Sequence, residues 1–179
     1  MARPGLTRDA SERAAADAAT LPRTLIMGIG NTLQGDDGVG VHAVRHLQKT
    51  LGEAPDLSLC DAGTLGTTLL VEIESSQRLI MIDAMRMGAE PGVVRCFENS
   101  EMDAWLRRGK AGSVHEVGLG ELIDLARLRE CLPDRRALIG IEPGYIGWGD
   151  RLSKELDDAL PRIDRHVRDL LRSWGHGDA

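Results

Sequence analysis

Short apolar runs alternate with helical stripes from residue 24 onward. The runs are "TLIMGIG" (24–30), "DLSLCDAG" (56–63), "RLIMIDAM" (78–85), "GVVRCFE" (92–98) and "RALIGIEP" (136–143). They are short, rich in branched apolar residues, and end at or near Gly, Asp or Pro, which predicts strands. In "DDGVGVHAVRHLQKTL", Val39, Val41, Val44 and Leu47 share roughly one side of a helix. Asp36 and Asp37 suit its N-terminus, where carboxylates meet the positive end of the dipole. "TLGTTLLVEIES" (64–75) predicts a second helix that Thr64 can cap. A short helix is expected near Met102–Arg107, and another after His115 with His115 in its loop or first turn. "GYIGWG" reads as a loop. The long C-terminal helix that follows contains Pro161, which should kink or split it.

The order β-α-β-α-β-β-α-β-α predicts a single three-layer α/β/α domain with helices on both faces of about five strands. About eight residues separate the third and fourth runs, and a parallel crossover needs roughly a dozen. The 92–98 strand should therefore run antiparallel to its neighbour, making the sheet mixed. Sites in such sheets lie beyond the carboxyl ends of the parallel strands. Loops 30–38, 61–64, 83–91 and 142–150 leave those ends.

Composition narrows the partners. The 179 residues suit one domain, and residues 1–23 mix Ala with charge and lack the apolar stretch of a secretory signal. They are expected to be a flexible extension, with 24–179 forming the domain. A net charge of -6 argues against a general nucleic-acid surface, and no apolar run approaches the ~20 residues of a membrane span. Cys60, Cys96 and Cys131 form no C-x-x-C pair, which argues against a zinc knuckle or disulfide framework. Buried or half-buried thiols in a reducing cytoplasm are expected, and a monomer is the default.

Candidate chemistry gathers around "GIGNTLQGDDGVG", Gly28 to Gly40. Leu33 stands where a dinucleotide fingerprint has its third glycine, no Walker lysine is present, and two aspartates disfavour phosphate. Asp37 follows the first strand, Asp83 ends the third, and His115 begins a helix entering the same layer. The topology lets all three lie at one rim. Two carboxylates and an imidazole suit a divalent transition metal with open positions, or general acid–base work. Each also has an ordinary use: Asp37 as a helix cap, Asp83 on turn amides, His115 as a loop histidine. His42 and His46 stand at i and i+4, but Ala43 replaces the zincin Glu, so a solvent-facing pair is expected. His166 and His176 are expected to be solvated, and no G-x-S-x-G elbow is present.

Taken together, "GIGNTLQGDDGVGV", "DAGTLG", "IDAM", "PGVV", "HEVGL" and "GIEP" resemble, in order, the motifs of the hydrogenase maturation proteases. These are cytoplasmic endopeptidases that process nickel–iron hydrogenase large subunits. The resemblance implies a twisted mixed sheet flanked by helices. It implies removal of a short C-terminal peptide from the large-subunit precursor after nickel insertion. It further implies that Asp37, Asp83 and His115 contact nickel carried by the substrate rather than held tightly by the free enzyme. Asp37 stands where many members have Glu and reaches less far, and "SVHEVG" lacks the commoner proline before its histidine. On this reading Asp37 or Asp83 also serves as general base. Asp36 shapes the turn and caps the helix, the glycines admit a substrate tail, and "DAGTLG" lines the cleft. The alternative is a non-catalytic nickel-sensing maturation factor that binds the large subunit. Presence of both aspartates and the histidine favours the enzyme.

Overall fold

The computed structural model describes residues 24–52, 54–64, 69–108 and 114–175, with only the backbone described at 108 and 114–117. Residues 1–23 and His176 therefore lie outside the described residues. The five predicted strands are present as β1 (Thr24–Ile29), β2 (Leu57–Gly63), β3 (Arg78–Ala84), β4 (Val94–Glu98) and β5 (Arg135–Ile141). The helices are α1 (Val39–Thr50), α2 (Leu69–Glu74), α3 (Asn99–Arg108), α4 (Val114–Leu128), α5 (Lys154–Asp157) and α6 (Leu160–Ser173). The part of the predicted second helix at 65–68, and with it the test of Thr64 as its cap, falls outside the described residues.

The sheet order is β2-β1-β3-β5-β4, parallel except where β4 meets β5. The mixed sheet is as expected, and β4's partner proves to be β5, with β5 lying between β3 and β4. Burial explains the choice. Five consecutive residues of β5, Ala137 to Ile141, are buried, whereas β4 exposes Arg95 and Glu98. An interior strand needs two apolar faces, and β4 has only one. The connection from β3 to β4 therefore crosses over the carboxyl end of β5.

Alternation along the strands builds two cores. Leu25, Met27, Leu79, Met81 and Leu138 pack with α2, α3 and α4 on one face. Ile26, Ile80, Ile82, Ile139 and Ile141 pack with α1 and α6 on the other. Pro161 divides the C-terminal helix into α5 and α6 and sits in the first turn of α6, where its missing N–H costs nothing. Beyond it, Ile163, Val167, Leu170 and Leu171 give α6 a buried stripe.

That stripe corrects the reading of His42 and His46 as a solvent-facing pair, because α6 packs across α1. Both imidazoles are half-buried. His46 Nε2 lies 3.6 Å from Asp164 Oδ2 on α6. His42 Nε2 is shut off from water with no hydrogen-bond partner, and burial holds its pKa below the ordinary 6.5. His166 is half-buried rather than solvated. The three cysteines are free and half-buried, as expected. Burial pushes the Cys96 thiol up to about 12, which keeps it protonated and unreactive.

Candidate active site

The glycine-rich stretch leaves β1 and folds back on itself before α1 begins. Asp36–Gly38 form a single 3₁₀ turn, and Asp37 is only 5% exposed. The Asn31 amide donates to Asp37 Oδ2 at 2.9 Å, closing the loop. Gly30 has φ 134°, and a Cβ there would stand 1.8 Å from the Asp37 carbonyl oxygen. Only glycine serves at that point. Gly28 and Gly40 likewise let β1 and α1 touch: a Cβ on Gly28 would lie 2.1 Å from the Gly40 oxygen. These glycines thus bring the chain against its own backbone, rather than against a substrate tail as expected.

The same close packing brings the two aspartates' elements together. Gly40, one helical turn beyond Asp37, sits so near β3 that a Cβ would lie 2.1 Å from the Ile82 carbonyl oxygen. Asp83 is the next residue and is fully buried. The 3₁₀ turn itself rests on β3. Both carboxylates therefore occupy the carboxyl edge of the sheet, the edge at which ligands meet such folds.

His115 lies in the first turn of α4, and its side chain is outside the described residues. The other end of α4 is anchored by ion pairs. Arg127, in the last turn, reaches Asp103 at 3.1 Å, and Asp103 also binds Arg136 at the start of β5. The last turn is thus at the amino edge of the sheet. Fifteen residues span roughly 22 Å, so the first turn lies well away from that anchor. Among the described side chains, no three of His, Cys, Asp or Glu are grouped as a metal site.

Two further buried carboxylates organise this edge. Asp36 was expected to cap the helix, but its bonds run to a distant loop. It accepts from the Gly144 and Tyr145 amides at 2.9 and 2.7 Å, the Ser153 amide at 2.7 Å and the Ser153 hydroxyl at 2.9 Å. Glu142, in "GIEP", had no role assigned from sequence. Its Oε2 accepts from the Met87 and Ala89 amides at 2.6 and 3.1 Å. It thereby pins the loop that follows Asp83 as it crosses β5. A carboxylate directly after an apolar strand was the available signal. In "DAGTLG", Asp61 accepts from the Gly63 amide and pairs with Arg45, while residues 65–68 lie outside the described residues.

The family model HycI, hydrogenase maturation protease, matches residues 41–169. The hydrogenase expression/formation protein HupD of Rhizobium leguminosarum bv. viciae is 35% identical over 156 residues, covering 86% of this chain and 76% of that protein. HoxM of Cupriavidus necator is 35% identical over 150 residues, covering 83% and 74%. The solved hydrogenase maturating endopeptidase HybD from E. coli superposes with a TM-score of 0.79 at 25% identity, covering 86% of this chain and 94% of that one.

Proposed function

Since the chain belongs to the hydrogenase maturation protease family, and is thus an endopeptidase of hydrogenase maturation, we propose that it removes a short C-terminal peptide from the nickel-loaded large-subunit precursor of a nickel–iron hydrogenase. The observation that carries this reading is the burial of Asp37 and Asp83 on two touching elements at the carboxyl edge of the sheet.

Nickel is part of the substrate. Asp37, Asp83 and His115 offer two carboxylates and an imidazole to an ion already held by the precursor. Three ligands complete a partly filled coordination shell but bind a free ion weakly, so cutting waits until the metal is loaded. One of the two carboxylates takes a proton from water as its oxygen adds to the scissile carbonyl, and the proton passes to the departing amine as the C–N bond breaks. Asp36 and Glu142 hold the flanking loops still while this occurs. The setting is cytoplasmic, in keeping with three free cysteines, and the enzyme meets its partner as a monomer. Among the described residues no helix is long and apolar enough to cross a membrane.

The test is to incubate the purified protein with nickel-loaded and nickel-free precursor and weigh the products by mass spectrometry. Loss of a C-terminal peptide from the loaded form alone is expected. An unchanged mass, with an established maturation protease cutting in parallel, overturns the reading.

A further inference from the structure

The chain has five aromatic residues, three Trp, one Tyr and one Phe. Trp174 is buried, and Phe97 stacks on Trp105 with ring centroids 4.7 Å apart. The other two, Tyr145 and Trp148, are 59% and 86% exposed on one loop. Leu33, 57% exposed, stands in the glycine-rich loop beside them. The two loops are laced together. The Gly35 amide donates to the Gly149 oxygen at 2.8 Å, Gly149 to the Leu33 oxygen at 3.1 Å, and Asp36 to the Tyr145 oxygen at 3.0 Å. Short bridges pair Gln34 with Gly149 and Gly35 with Ile146. Asp36 then clamps the second loop from within through Gly144, Tyr145 and Ser153.

We propose that Leu33, Tyr145 and Trp148 form the surface on which the large-subunit precursor docks, through an apolar patch flanking its metal site. The proposal rests on the substrate reading above and goes beyond it. Three features select this occupant. The patch is continuous with the candidate active site, because Leu33 and Asp37 belong to one loop and Asp36 anchors the other. It is aromatic, and Trp and Tyr are the side chains that most often dominate binding at protein interfaces. It is held rigid by hydrogen bonds, so little ordering cost is left for binding. A site that offers three ligands to a substrate-held ion needs affinity from another source, and this surface supplies it. Among the described residues, the other exposed large apolar side chains, Val71, Leu125 and Leu128, are aliphatic and lie on α2 and α4.

Titration calorimetry of nickel-loaded precursor with the full chain tests this, alongside the cleavage assay. Trp148→Ala and Leu33→Ser should each weaken binding, Trp148→Ala by about 30-fold, with kcat/KM falling in parallel and the melting temperature unmoved. Leu128→Ala serves as the control and should bind as the unaltered protein does. Wild-type affinity in both patch variants overturns the proposal even if cleavage is normal. Sedimentation showing a dimer that Trp148→Ala converts to monomer also overturns it, since a second copy would then cover the patch. If the unaltered protein binds but does not cut, the processing reading fails while docking is still measured. If it neither binds nor cuts, both fail.

Discussion

The two edges of the sheet treat buried carboxylates differently. At the amino edge, Asp103 receives both arms of Arg136, at 3.0 and 2.7 Å, and also meets Arg127. At the carboxyl edge, Asp36 and Glu142 are satisfied by backbone amides and one hydroxyl. A guanidinium cancels the charge it binds, whereas amides stabilise the charge and leave its sign in place. The charge of Asp103 is thus answered by guanidinium groups. Asp36 and Glu142 lie at the same edge as the buried Asp37 and Asp83, the carboxylate-rich setting that the proposed site needs.

The largest effects should come from the three residues of the proposed site. Asp83→Asn and His115→Ala should each lower cleavage of nickel-loaded precursor about a thousandfold or more, with the circular dichroism spectrum retained. Full activity in either variant removes that residue from the site. Asp37→Asn sharpens the point, because its amide oxygen can still accept from Asn31 while the charge is gone. Cleavage should fall while the melting temperature holds, and the reverse result would make Asp37 a loop clasp only.

Next comes Asp36→Ala, which strips four hydrogen bonds from one buried group. A cost of about 3 kcal/mol and a drop of roughly 6–12 °C are expected by calorimetry, together with weaker cleavage as the 144–153 loop loosens. Asp103→Asn should cost about 2 kcal/mol and leave cleavage untouched, which is the clearest contrast between the two edges. The hydrogen bond from Arg136 holds the Asp103 carboxyl below its ordinary 3.8. Its contribution is therefore complete above that value and is lost as pH falls through the lower, folded-state value. Melting curves of Asp103→Asn and the unaltered protein should converge on acidification.

The smallest effect belongs to His42. Burial depresses its pKa below 6.5, so the fold favours the neutral ring. That stabilisation is full above 6.5 and fades as pH drops through the depressed value. His42→Gln should flatten the melting temperature between about pH 7 and 5. An unchanged slope would mean the ring charges without penalty.

Much of this was legible in the chain. The five strands, the mixed sheet, the first turn of α4 at His115 and the break at Pro161 all follow from local pattern, because period, chain breakers and loop length act over a few residues. The motif order pointed to the family, which the comparisons show. The misreadings share a cause. His42 and His46 look solvent-facing until α6, more than a hundred residues later, packs across them. Asp36 looks like a cap until the 144–153 loop arrives at its oxygens. Glycines suited to a substrate's approach turn out to seat β1 against α1.

By itself, then, the sequence determined the elements, their order and the acidic character of one turn, since these depend on neighbours in the chain. Tertiary structure decided that β5 rather than β3 receives β4, and which carboxylates serve as staples. It also decided that the loops carrying Leu33, Tyr145 and Trp148 are laced together by backbone hydrogen bonds. Those outcomes depend on which backbone amides and apolar surfaces, distant in sequence, arrive at the same place, and burial makes each such arrival costly to undo.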